Sequence, residues 1–274
     1  MANDSYCVLA RRDVDVRPAV ARAVAQATGQ VALDVTRNLR ETPGILADNL
    51  PQHQAERLVG ALSQVDVSAF SLPRSELVQF PEPVFLETAR LGDDILVVED
   101  LRAASGARLG TLRVPYKDIV FAAAGQVSEE KRRRVNDSTP YAGAPGVSAG
   151  LMIGGPLMAA AMAADGATPA SHMETSVRDH HVLDLFAVNP AHHIRLNAKT
   201  FNFTQTGLPL QMSSLLNLTE FIKRLGPLCE SAAIDLSVKH ILDGDPLTNL
   251  RFKSLERYEA YVFWRVQLLY HPNA

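Results

Sequence analysis

The sequence predicts an α+β chain in which a small α/β module is followed by an antiparallel β-rich domain with helices at its C-terminal end. Three observations predict it. Residues 6–72 alternate short apolar runs with stretches of helical spacing. Residues 95–101, 109–114, 182–188 and 194–203 are apolar runs separated by turn residues, as in hairpins. Residues 217–270 return to helical spacing.

The 274 residues suffice for about two domains. With 47% apolar residues, each can bury a core. A charged fraction of 21% and a net charge of −3 lack the basic footprint of a nucleic-acid binder, so no nucleic-acid partner is expected. Cys7 and Cys229 are too few for a disulfide framework and form no metal site by themselves. They are expected to be half-buried thiols. The N-terminus carries no basic-then-apolar signal, so the expected compartment is the cytoplasm.

In the first module, residues 6–10 read as a strand. Val16, Val20 and Val24 give the next helix an apolar face, with Asp15 as its cap, Pro18 in its first turn and Gly29 as its end. Val31, Val35 and Leu39 repeat the spacing until Pro43 and Gly44. Residues 44–48 suit a short strand or an extended connector, and Asn49 suits a helix start ahead of Pro51. Ala55, Leu58, Val59 and Leu62 occupy i, i+3, i+4 and i+7 of a third helix. Residues 67–72 alternate as a closing strand, ended by Pro73.

This order, with Ala27-Thr28-Gly29 ending one helix and Ala55-Glu56 opening another, resembles the C-terminal domain of ribosomal stalk protein L7/L12. The protease adaptor ClpS shares that fold. The resemblance covers residues 1–75 and implies a docking module without catalysis. The helices that present lysines in the stalk domain carry Arg17, Arg22, Arg37 and Arg40 here, mixed with Asp34 and Glu41. No residues match the ClpS pocket for N-terminal residues.

Three prolines, Pro73, Pro81 and Pro83, predict an extended linker before the second domain, residues 84–274. Residues 85–89 suit a strand. Residues 95–101 and 109–114 pair about the turn at Ala104-Ser105-Gly106, and 118–127 continues a meander. The Val-Pro-Tyr-x-Asp-Ile step at 114–119 resembles bacterial PH-like or GRAM-like β domains, which implies partner or lipid binding.

An insert at 128–179 follows. Its charge cluster at 129–134 is expected on a solvated helix end or loop. No charged side chain occurs from 138 to 164, a run nearly long enough to span a bilayer. Gly154-Gly155-Pro156 interrupts it, so a mobile loop with a short helix at 157–164 is the expectation and a membrane contact across 138–170 the alternative. The glycines lack a phosphate-loop pattern. His172, His180 and His181 are spaced too widely for a structural zinc site, and with His192 and His193 they are expected as solvent-facing loop or turn histidines.

Residues 182–188 and 194–203 form a predicted hairpin that completes the sheet begun at Ile95. Asn217 with Glu220 suits a capping box, and a further helix from Leu228 places Val238, Ile241 and Leu242 inward before Gly244. The last helix, 254–270, has so little polar surface that burial is the first expectation. A homodimer contact is the second, with Tyr261, Phe263, Trp264 and Leu268 as the candidate interface.

These readings predict a non-catalytic adaptor or regulatory protein whose partner is another protein. The alternative is a peripheral membrane protein that uses the PH-like domain and the low-charge insert. No cofactor or metal is expected. For an enzyme, the one local cluster to nominate is Asp179, His180 and Asp184.

Overall fold

The computed structural model describes residues 5–136, 171–188, 191–230, 232–244 and 251–273, with backbone alone at 129–136 and 171–176. The fold is α+β. Met1–Glu129 and Asp179–Ala274 form one compact unit, and Glu130–Arg178 another. The expectations for residues 138–170 lie outside the described residues. Among the described residues, no helix is long and apolar enough to cross a membrane.

The chain begins β1 (Ser5–Ala10), α1 (Pro18–Thr28), α2 (Ala32–Glu41), β2 (Ile45–Pro51), α3 (Gln52–Ser63) and β3 (Ala69–Pro73). The three strands form an antiparallel sheet in the order β2-β1-β3. Alternation along β1 sends Val8 and Ala10 to α1–α3, where Val20, Val24, Leu39, Leu58 and Leu62 complete a core. Cys7 and Leu9 face the other way.

Two expected helix starts are corrected here. Arg17, not Asp15, is the N-cap of α1, and Pro18 supplies a first residue whose missing N–H needs no partner. Asn49 starts no helix. It lies within β2 at φ 59°, and α3 begins only after Pro51.

The second sheet holds β4 (Val84–Leu86), β5 (Thr88–Leu91), β6 (Ile95–Arg102), β7 (Arg108–Pro115), β8 (Ile119–Asn136), β9 (Ser171–Val188), β10 (Ala191–Asn197), β11 (Ala233–Ile234) and β12 (Arg251–Phe252). Its order is β11-β8-β9-β10-β4-β6-β5, with β7 on β6 and β12 on β8. The β6–β7 and β9–β10 hairpins form as the turn residues suggest. The meander does not continue. Buried Tyr116 donates to the Gly92 carbonyl at 3.0 Å, a 3₁₀ turn redirects the chain, and β8 pairs with β9 rather than β7. The pairing of β10 with β4 is parallel, so the sheet is mixed rather than purely antiparallel. The backbone at 129–134 is strand, not the expected helix end or loop.

Three helices follow: α4 (Ser214–Leu225), α5 (Leu236–Asp243) and α6 (Leu255–Tyr270). Ser213 caps α4, displacing the expected Asn217, whose Oδ1 accepts from the Gln211 N–H at 2.7 Å. Residues 226–228 form a 3₁₀ turn, so the helix expected from Leu228 begins at Leu236 instead, capped by Asp235.

Both faces of the second sheet are covered. Leu183, Leu185, Ile194 and Leu196 pack with Phe221, Ile222 and Leu225 of α4 and with Val238 and Ile241 of α5. On the opposite face, Phe121, Ala123, Val182 and Phe186 meet α6. The other side of α6 meets Cys7, Leu9, Phe70 and Leu72 of the first sheet. The last helix is thus packed between two sheets. Cys7 and Cys229 are buried rather than half-buried, and that burial pushes both thiols up to about 12.

Helix α6 seats against Gly44, which sits at φ 76°. A Cβ there would lie 1.9 Å from Trp264 Cδ2, inside the indole. Gly44→Ala is therefore expected to cost about 3–5 kcal/mol or to prevent folding. Gly29→Ala shares the left-handed φ, but its Cβ meets nothing within 4 Å. Its expected cost is about 1–2 kcal/mol. Urea titration of the two variants checks this, and equal losses would contradict the close packing of Trp264.

Candidate functional site

Glu259, Val262, Phe263 and Val266 stand at i, i+3, i+4 and i+7 on α6 and line one wall of a cavity of about 140 Å³. Phe186 of β9 with His193 and Arg195 of β10 form the second wall, and Val78, Gln79 and Phe80 of the connector after β3 form the third. One α6 side chain helps to fix the connector there. The fully buried Gln267 accepts the Val78 N–H at 2.9 Å and donates to the Val78 carbonyl at 3.0 Å, as a neighbouring strand would.

Cross-strand register builds the floor. Arg195 lies opposite Asp184, and His193 opposite Phe186. Arg195 is buried and donates to both Asp184 oxygens, Nε to Oδ1 and Nη2 to Oδ2, each at 2.8 Å. Its Nη1 donates to Glu259 Oε1 at 2.5 Å, and its guanidinium lies 5.8 Å from the Tyr258 ring centre. His193 stacks on Phe186 at 4.3 Å between ring centres. Its Nε2 is 3.3 Å from Asp184 Oδ2, close enough for electrostatic contact but off the line of a hydrogen bond.

Burial alone would raise the Asp184 pKa. The hydrogen bonds and charge of Arg195, aided by His193, outweigh it and hold the carboxyl below its usual range. For Arg195, burial opposes the charge, while Asp184 and Glu259 restore it and hold the guanidinium protonated.

A second feature lies on the first module. A groove of about 610 Å³ runs beside β2, which is an edge strand. All of Ile45–Pro51 lines it, so it follows the strand edge rather than one face. Buried Val35, Leu39, Leu46 and Leu50 provide apolar depth, and Gln30, Asn38, Asp48, Asn49 and Gln54 edge it.

The structure separates the nominated acid–base cluster. Asp179 and Asp184 are five apart on β9, an odd spacing that directs them to opposite faces. Asp179 is exposed and accepts from Ser128 at 2.6 Å and from Arg251, whereas Asp184 is fully buried. The expected loop histidines are instead strand residues, His180 and His181 in β9 and His192 and His193 in β10, and His193 is buried. His172 falls where only the backbone is described. Among the described residues, no group of three or more His, Cys, Asp or Glu side chains could hold a metal ion.

Of the candidate interface residues, Tyr261 and Trp264 are buried inside the chain. Tyr261 donates to Asp235 Oδ2 at 2.7 Å, and Trp264 donates to the Ala10 carbonyl at 2.6 Å. Phe263 and Leu268 are half-buried. Sequence reasoning missed Arg195, Glu259 and Gln267. A signal for the ion pair was available: Asp184 is the lone charge in its apolar run, and Arg195 stands between Ile194 and Leu196 on the strand predicted to pair with it. Comparison with family models, curated proteins and solved structures finds no match for the chain.

Arg195→Met leaves the Asp184 carboxylate buried without its partner, at an expected cost of about 3–5 kcal/mol at pH 7. Joint replacement by Asp184→Leu and Arg195→Met recovers most of it. The pH dependence fixes the sign. In the natural chain the folded Asp184 pKa is lowered, so its contribution is present above about pH 4, the unfolded value, and is lost as pH falls further. Without Arg195, burial raises that pKa, so the single variant narrows its deficit as pH falls from 7 toward 4. Urea titrations across that range test it, and a deficit independent of pH would contradict the assignment.

Proposed function

We propose that the chain is a non-catalytic docking protein, an adaptor or regulatory component, that receives an extended segment of another protein along β2. The groove beside this open strand edge carries the reading. An edge strand offers backbone donors and acceptors to an added strand, and pockets beside it select alternate side chains. The apolar depth at Val35, Leu39, Leu46 and Leu50 suits small or branched apolar side chains, and the uncharged amides of Gln30, Asn38, Asn49 and Gln54 suit a peptide backbone. The β2–β1 pairing has register shifts around Val8, which bend the edge and favour a short segment over a long one.

The likeness of residues 1–75 to the stalk and ClpS docking modules belongs to the same proposal. Its support is the β-α-α-β-α-β order and the antiparallel β2-β1-β3 sheet. The buried charges of the second domain are bonded to one another, which suits a structural role for them.

The test uses the full chain, because the Cys7 and Leu9 face of the first sheet packs on α6. A photo-crosslinking residue is placed at Ala47 in the groove, at Asn38 on its rim, or at Arg57, an exposed α3 residue that does not line it. In native lysate, positions 47 and 38 are expected to capture the same protein segment and position 57 not to. Asn38→Arg, added to the position-47 variant, should reduce capture about tenfold or more with the melting temperature unchanged. Equal capture from all three positions, or capture from none, contradicts edge docking. Vesicle flotation of the full chain without protein capture would favour the membrane alternative.

A further inference from the structure

The cavity between α6, β9, β10 and the connector is separate from the β2 groove and has its own chemistry. We infer that it is a binding site for a small organic cation, a primary or methylated amine on an aromatic or compact aliphatic body. Three features converge on that class.

The first is size. At about 140 Å³, the cavity matches the roughly 150 Å³ of engineered cavities that bind benzene. It has room for a ring or a short branched chain.

The second is charge. Besides His193, the ionic groups at the site are Asp184, Arg195 and Glu259, two carboxylates against one guanidinium. Asp184 engages Nε and Nη2 of Arg195 from behind the cavity. Glu259 receives only Nη1 on Oε1, and its side chain remains 44% exposed. The surplus negative charge therefore sits at the lining and the solvent edge. A cation satisfies it, whereas an anion would meet Glu259 directly.

The third is the wall. Phe80, Phe186 and Phe263 line the same space. Aromatic faces attract ammonium groups, and more strongly where water is partly excluded. Val78, Val262 and Val266 supply apolar contact for the body of the ligand. The body is held within the cavity and the ammonium group reaches toward Glu259.

The connector makes the site conditional. Its wall residues Val78 and Phe80 are held by the two Gln267 hydrogen bonds and by the edge contact of Phe80 with Phe186, 4.7 Å between ring centres.

The test uses the full chain and three probes of one shape: benzylamine, benzyl alcohol and benzoate. Binding is followed at pH 8 by calorimetry and by amide and side-chain NMR shifts. Benzylamine is expected to bind about tenfold more tightly than benzyl alcohol, with benzoate weakest and with shifts centred on Phe186, Gln267 and Val78. Glu259→Gln should remove most of the benzylamine preference and leave benzyl alcohol affinity within about twofold. The neutral probe also reports whether the variant keeps its cavity. A loss of benzyl alcohol binding in Glu259→Gln is checked with Phe263→Leu, which keeps all charges and should weaken the amine more than the alcohol. No binding of any probe at millimolar concentration overturns the inference. Benzoate binding as tightly as benzylamine overturns it, as does an amine preference that survives in both variants.

Discussion

The face of α6 packed between the two sheets has no solvent in which to place polar side chains, and Tyr258, Trp264 and Gln267 resolve this by bonding to backbone. Trp264 donates to the Ala10 carbonyl, Tyr258 to the Ala123 carbonyl at 3.2 Å, and Gln267 pairs both ways with Val78. Each bond satisfies a buried group on the helix and another on a different part of the chain. Such groups are costly when left unpaired, so these contacts fix the position of α6 as well as adding stability. Gly44 is the matching constraint on the opposite side, since only a residue without Cβ admits the indole.

The same helix takes part in the networks around the buried carboxylates Asp184 and Asp235. Asp235 caps α5 and accepts from Tyr261 and from Arg265 Nε at 2.7 Å, both on α6. Asp184 takes its partner from the facing strand, and Glu259 of α6 extends that pair toward solvent. Buried ion pairs add little net stability beside apolar packing, but they penalise every arrangement that separates them. Here they penalise a slip of the β9–β10 register and a rotation of α6. A one-residue slip would direct Arg195 into the apolar layer under α4.

Two surfaces with different chemistry result. The β2 edge is an exposed strand with an apolar groove, suited to backbone pairing. The cavity on α6 is small, aromatic and acidic at its rim, suited to a compact cation. Both depend on α6, which supports the first sheet from behind and forms a wall of the cavity. A ligand that ordered the connector through Val78 would therefore act on the helix that supports the first sheet.

The sequence by itself determined most of the local structure. The apolar spacings at Val20 and Val24, at Val35 and Leu39, and at Ala55, Leu58 and Leu62 define α1–α3, and alternation defines β6, β7, β9 and β10, because periodicity is a local property of the chain. It also marked α6 as too apolar to be solvated. Caps were less legible, since Ser213 and Asp235 compete with nearby residues such as Asn217 that can bond equally well in a turn. Tertiary structure alone decided what α6 touches, that β8 leaves the meander to join β9, and that Asp184 and Arg195 face inward. A strand with one face in water and a strand covered on both faces can carry the same alternation. Only the arrival of α6 on the second face makes Asp184 and Arg195 a buried pair, and that contact joins residues far apart in the chain.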